Sequence, residues 1–245
     1  MSVLMSLGRH VGLAVLAGIV AGVVVGGVGG RIAMRVTGFV SGQAVLGVTT
    51  SNGNRVGDIT VGGTIGVLLV GALLGVLGGV LYAPVEPWFR RFRPWHGVAF
   101  GLFLLVAAGI AVLDPANSDF PRFGSAPLNV AMFGALFLLF GPLIAWVFDR
   151  LPRLVPEDGA PARFVVGLGW LALSLAAVLV YLSAGGLGSN PDALLTIVIA
   201  AALTVAAVTR WRKLPPQLGY AALTVSVLAG AARLASALPV LLDSL

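Results

Sequence analysis

The sequence predicts an all-α integral membrane protein, a bundle of seven transmembrane helices. Of its 245 residues, 58% are hydrophobic and 10% are charged, and the mean hydropathy is +1.03. Soluble domains carry about a quarter charged residues, so water is not the main solvent of this chain. The polar connections are too short to form a separate folded core. We therefore expect residues 1–245 to form a single transmembrane domain.

Seven apolar segments have the length that a transmembrane helix requires. A bilayer core about 30 Å thick needs about 20 apolar residues in a helix. The first segment follows a short polar lead and runs on without a convincing cleavage site, which is typical of a retained signal anchor. If the last segment does not span, the count falls to six. The segments cover residues 11–30, 61–82, 97–113, 129–148, 164–184, 191–209 and 218–238.

Basic residues favour one orientation of these segments. With the amino terminus in the cytoplasm, ten arginines and lysines fall on the inner side and five on the outer side, as expected when basic loops stay cytoplasmic. The carboxyl end then lies outside. Fourteen arginines against one lysine, with abundant Ala, Gly and Val, suggest a GC-rich genome. The expected location is the cytoplasmic (inner) membrane of a bacterium.

Aromatic and basic residues alternate at the inner end of the second segment, in WFRRFRPWHG. Rings at headgroup depth beside guanidinium groups are typical of an anchor on anionic lipid headgroups. The alternative is a docking surface for an acidic cytoplasmic partner. Nucleic acid is not an expected partner, although the net charge is +6, because the basic residues border apolar segments. The predicted interface residues are Trp88, Arg90, Arg91, Arg93 and Trp95, with Trp211 and Arg212 repeating the pattern.

Glycines recur at every fourth position in the first two segments. Small residues at this spacing, a glycine zipper, let two helix backbones approach closely. We expect segments one and two to pack tightly; self-association and a pore-lining face are the alternatives. The chain is a candidate member of a homo- or hetero-oligomer. The glycines are Gly18, Gly22, Gly26 and Gly30 in the first segment and Gly71, Gly75 and Gly79 in the second.

The outer loop, residues 31–60, is the first candidate for recognition. Arg31 and Arg35 are four residues apart, so the first helix is expected to continue past the bilayer with both side chains at the outer interface. They are candidates to bind an anion or a lipid phosphate; snorkelling at a helix end is the alternative. Asn52-Gly53 suits the turn of a small β-hairpin. Asn52, with Arg55 and Asp58 after the turn, is a candidate to bind a ligand or partner. A plain polar surface loop is the other interpretation.

Arg233 is the only charged residue well inside an apolar segment. Such charges normally face a bundle interior, a cavity or a partner. Its position in the outer half also allows the side chain to snorkel to the interface. Asp192, at the outer start of segment six, is the partner to test.

The residue inventory argues against catalysis by this chain alone. The absence of cysteine excludes disulfides and thiolate chemistry. The two histidines, His10 and His96, border apolar segments, and no lysine, aspartate or glutamate lies in mid-span. Glu86, at the inner end of segment two, could bind a cation, although a lone loop carboxylate is usually solvated. We therefore predict no enzyme activity, no metal and no cofactor.

The stretch GGRIAMRV, followed by TTSNGNRVGDITVGGT and a glycine-rich apolar segment, resembles a recurrent pattern in uncharacterised multi-pass membrane proteins of GC-rich bacteria. The resemblance covers about residues 29–82 and implies no known activity.

Two functions fit these patterns. The first is a non-enzymatic membrane subunit or scaffold that binds a lipid, an anion or a protein partner at its outer face. The second is a small transporter or channel for an anionic solute, with Arg31, Arg35 and Arg233 attracting the solute from outside.

Overall fold

A computed structural model describes residues 3–41, 61–109, 126–185, 191–211 and 215–242, and these ranges form helices joined by short turns. The first helix has three consecutive parts, because an eight-residue π-helical stretch separates two α-helical ones. The helices are α1 (Val3–Ala21), the π-helical stretch (Gly22–Gly29), α2 (Gly30–Ser41), α3 (Val61–Phe89), α4 (His96–Ala108), α5 (Ala126–Leu154), α6 (Gly159–Gly185), α7 (Pro191–Trp211) and α8 (Pro216–Leu242).

The all-helical class is confirmed for the described residues, and among these residues five helices are long and apolar enough to cross a membrane. The last predicted segment, 218–238, lies on one of these five. Segment three falls on α4, where the apolar helix His96–Ala108 is shorter than these five. Segment six falls on α7, where the apolar stretch among the described residues is Thr196–Val205, which is also shorter. The predicted hairpin lies outside the described residues. The five are Val3–Val40, Val61–Phe92, Pro127–Leu154, Gly159–Leu182 and Pro216–Pro239.

The first helix lies at the centre of the bundle. Its most apolar stretch is 61% buried, against 17–28% for the other four long helices. It packs against α3, α5 and α6. A helix that is apolar on all sides can lie in a protein core or face lipid, and of the five this one is the most covered by other helices. Loss of this segment, which superficially resembles a signal peptide, would remove the centre of the core.

Glycines lie where α1 crosses α3. A Cβ atom placed on Gly18 would overlap the carbonyl oxygen of Gly75, and one on Gly79 would lie 2.7 Å from the Cα of Val15. These two helices therefore meet backbone to backbone. Gly22 lies against Gly71 and Gly75 in the same way.

The π-helical stretch changes which glycines face α3 beyond this point. A π turn holds one residue more than an α turn, so the contacting face moves along the chain. Gly27 takes the position against Leu68, whereas Gly30 has only a Val67 methyl carbon at 4.0 Å from its would-be Cβ. The expectation that Gly30 continues the close contact is therefore corrected: the four-residue period stops inside the π-helical stretch.

Three further crossings use glycines that the sequence pattern did not single out. Gly169 of α6 lies against Gly8 of α1, and Gly141 of α5 against Gly97 and Gly101 of α4. On α8, a Cβ at Gly230 would lie 2.6 Å from the Cα of Ala107 in α4. The close-packed part of the molecule thus extends beyond the glycine-rich first half of the chain.

Candidate functional site

Contacts at one end of the bundle establish a common level for three helices. His10 Nε2 lies 3.0 Å from the carbonyl oxygen of Ala83, and the His10 ring meets the Phe148 ring edge-on with centroids 5.4 Å apart. Arg9 donates to the carbonyl of Val155 at 3.0 Å beside them. This is the predicted cytoplasmic end of α1, α3 and α5; we name it the inner end and the opposite one the outer end.

Two polar contacts mark the opposite end. Arg31 of α2 donates to Thr64 Oγ1 of α3 at 3.3 Å, and Thr37 of α2 donates to Asn129 Oδ1 of α5 at 2.9 Å. Thr64 precedes Ala83 by 19 residues, and Asn129 precedes Phe148 by the same interval. At about 1.5 Å per residue the contacts lie about 28 Å from the inner level, close to one hydrocarbon thickness.

The predicted continuation of the first helix is confirmed, because α2 runs from Gly30 to Ser41 and carries both arginines. The two side chains differ in environment. Arg31 is partly buried by its contact with α3, whereas Arg35 is exposed. Thr37 and Asn129 are both buried. Helix α2 is therefore fastened to two different neighbours and still presents Arg35 outward.

Of the other predicted recognition residues, only Arg233 has a described side chain. Asn52, Arg55 and Asp58 lie outside the described residues. Asp192 lies in the first turn of α7, in a part of the helix whose side chains are not described. Arg233 is half-buried on α8, and its carbonyl accepts a hydrogen bond from Ser236 at 2.7 Å.

No family model, curated protein or solved structure matches this chain.

The inner end carries a cluster of ionisable side chains that sequence reasoning missed. We call this cluster the inner joint; it consists of Glu86, Arg90, Arg93, His96 and Asp149. Asp149 of α5 lies 3.9 Å from Arg90, 3.6 Å from Arg93 and 3.7 Å from His96. Arg90 also pairs with Glu86, one helical turn earlier. The inner joint thus fastens the turn between α3 and α4 to the end of α5.

Glu86 corrects an expectation. The residue is only 3% exposed and is paired with Arg90, whereas the sequence predicted a carboxylate in contact with solvent. A buried carboxylate requires a charged partner, because desolvation without one is costly. The spacing of Glu86 and Arg90, four residues apart on a helix, was a usable signal. Nothing local pointed to Asp149, whose partners lie in the turn after α3 and at the start of α4.

The predicted lipid-interface residues lie in different environments. Trp95 is exposed, and Arg91 lies over the Tyr220 ring with its guanidinium carbon 5.2 Å from the centroid. Trp88 needs correction, since it is only 7% exposed and packs inside against α8, where Gly219 leaves room for its ring. Trp211 ends α7 with its side chain undescribed, and Arg212 lies outside the described residues.

A second cation–aromatic pair stands near the inner end of α5. The Arg150 guanidinium carbon lies 3.7 Å from the centroid of the Trp146 ring, and both side chains are exposed. The sequence analysis predicted arginines beside aromatic rings in the turn after α3, and it missed this pair on α5. The four-residue spacing on one helix face was the available signal.

An apolar cavity of about 330 Å³ opens between α4, α5 and α8. Its walls include Leu105, Val130, Gly134, Leu138, Leu234 and Leu238. Apolar walls suit hydrocarbon and offer no compensation for the desolvation of an ion. The cavity therefore gives no support to a passage for an anionic solute.

Proposed function

We propose that the protein is a non-enzymatic scaffold of the bacterial cytoplasmic membrane whose outer face binds a lipid, an anion or a protein partner. In this proposal all seven segments span, the amino terminus is cytoplasmic and the carboxyl end is outside. The single observation that carries the proposal is the attachment of α2: hydrogen bonds to α3 and α5 hold it at the outer level while Arg35 stays exposed.

The packing of the bundle supports a scaffold. Backbone contacts at glycines join α1 to α3 and α6, and join α4 to α5 and α8. Such crossings leave little room for two helices to slide without losing van der Waals contact. A bundle joined in this way can hold a binding face at a fixed position.

The distribution of charge supports the orientation. Arg9, Arg90, Arg93 and Arg150 gather at the end that the basic-residue count assigns to the cytoplasm. Exposed Trp95 and Trp146 lie at the same end. Aromatic rings and arginines at this level suit contact with the anionic headgroups of the inner leaflet.

Purification in a mild detergent tests the proposal. We expect wild-type protein to retain a lipid or a protein partner, identified by native mass spectrometry, and the Arg35→Glu variant to lose much of it. Arg163→Glu is the matched control, because Arg163 is also exposed but lies near the start of α6. A chain that runs alone with neither lipid nor partner would contradict the proposal.

A second candidate is a small transporter for an anionic solute. The observation that favours it is the π-helical stretch in the most buried helix, since π-helical turns occur frequently at functional sites. Purified protein in liposomes should then move anions, and Arg233→Ala should reduce the flux. Absent flux, or flux unchanged in this variant, would refute the transporter.

A further inference from the structure

Helix α2 has two different faces. Ala33 and Thr37 are buried on one face, which packs toward α5. The other face carries an apolar stripe of four residues, spaced as i, i+4, i+7 and i+8. Phe39 is 81% exposed and Ile32 60%, so the stripe is not covered by the bundle. The stripe consists of Ile32, Val36, Phe39 and Val40.

The level of α2 determines which environment meets this stripe. Thr37 contacts Asn129, about 28 Å above the inner level. The stripe therefore begins where the outer hydrocarbon gives way to headgroups. A contiguous set of large apolar side chains at this depth contacts acyl chains rather than water.

Charge lies beside the stripe on the same helix. Arg35 precedes Phe39 by one turn, and Arg31 precedes Arg35 by one turn, so both border the stripe on one side. Arg31 is tied to Thr64, which leaves Arg35 as the exposed cation of the pair. An amphipathic helix with an apolar face and basic residues at its border is typical of a segment that lies in the interface of an anionic membrane.

We propose that α2 is an interfacial arm that binds an anionic phospholipid of the outer leaflet. An acyl chain of this lipid lies along the stripe of Ile32, Val36, Phe39 and Val40, and its phosphate binds Arg35. This inference rests on the proposed function, because it names the partner of the same outer face. The phosphate oxygens accept hydrogen bonds from the guanidinium group, a geometry that arginine suits better than lysine. The fastening of α2 to α3 and α5 fixes the arm before the lipid arrives.

The absence of native cysteine allows a direct test. A single cysteine at Val40 carries an environment-sensitive fluorophore, and the labelled protein is placed in nanodiscs of phosphatidylcholine with a minor fraction of phosphatidylglycerol. Bromination of one lipid or the other identifies which acyl chains reach the probe. We expect stronger quenching by brominated phosphatidylglycerol than by brominated phosphatidylcholine at equal mole fraction.

The matched variants separate specific binding from general membrane charge. Arg35→Gln should lower the preference for phosphatidylglycerol about fivefold, the effect of one cation near an anionic surface. Arg163→Gln changes net charge equally at the opposite end and should leave the preference unchanged. Equal quenching by the two lipids, or a preference that Arg35→Gln does not alter, would overturn the inference.

Two other outcomes distinguish this inference from the proposed function. A probe shielded from both lipids by a copurifying protein would overturn lipid binding on α2 while the scaffold proposal stands. A probe in water, on a chain that retains neither lipid nor protein, would refute both.

Discussion

Replacing Gly75 by alanine should loosen the contact between α1 and α3. The new Cβ would overlap the carbonyl oxygen of Gly18 and lie 2.8 Å from its carbonyl carbon and 3.1 Å from the Cα of Gly22. All three atoms belong to the backbone of the most buried helix, so no side-chain rotation relieves the clash. The helices must move apart.

The magnitude follows from two opposing effects. Overpacking a well-packed contact costs about 1–3 kcal/mol, and a rigid backbone obstacle places this one near about 3 kcal/mol. Alanine is the better helix former by about 1 kcal/mol. The net loss is about 2 kcal/mol, which lowers the melting temperature of a chain of this length by about 4–8 °C.

Gly66 provides the matched control on the same helix. A Cβ there has no atom within 4 Å, so Gly66→Ala keeps the gain in helix propensity without the clash. We would measure thermal stability in detergent by the loss of the monodisperse peak in size-exclusion chromatography. A Gly75→Ala protein that melts at or above Gly66→Ala would refute the backbone contact. Gly18→Ala combined with Gly75→Ala should cost less than the sum, because both substitutions disrupt one contact.

Three further predictions use the same cysteine-free background or the same melting assay. Thr37→Val should cost about 1–3 kcal/mol of stability, because the buried Asn129 amide loses its hydroxyl donor. The double variant Thr37→Val, Asn129→Leu should recover part of this loss, and additive losses would contradict the pairing. Asp149→Asn should cost about 1 kcal/mol after screening, since its two arginine partners are half-exposed. The exposed Asp158→Asn should cost less, and equal melting of the two variants would count against the inner joint. An impermeant maleimide added to intact cells should label from outside only the first, third and fifth of five single-cysteine positions, and protection of the fifth would reduce the span count to six. These positions are Asn54, Arg91, Asp119, Glu157 and Ser244.

Local signals were sufficient for the helices, including α2. The lengths of the apolar segments predicted where helices form, because an apolar stretch in a bilayer must bond its backbone internally. The spacing of Arg31 and Arg35 predicted the continuation of the first helix into α2. Gly18 and Gly75 stood out because small residues at a four-residue period mark one helix face.

Other features depended on which helices become neighbours. Asp149 gave no local sign of its role, since Arg93 reaches it from the turn before α4 and His96 from the start of α4. Trp88 matched an interfacial pattern, yet it packs inside because Gly219, 131 residues later in the chain, leaves space for its ring. The period of glycines also could not reveal the π-helical stretch that turns Gly30 away from α3.

The sequence by itself determined that this is an all-helical chain with long apolar helices, because burial of backbone hydrogen bonds in hydrocarbon depends only on local composition and length. Only the tertiary structure decided that the first helix is the centre of the bundle, that the inner joint fastens α4 to α5, and that α2 turns one face inward and leaves Ile32, Val36, Phe39 and Val40 exposed. These outcomes depend on pairs of surfaces from distant parts of the chain. Van der Waals fit and charge pairing between such surfaces are set only when the helices meet.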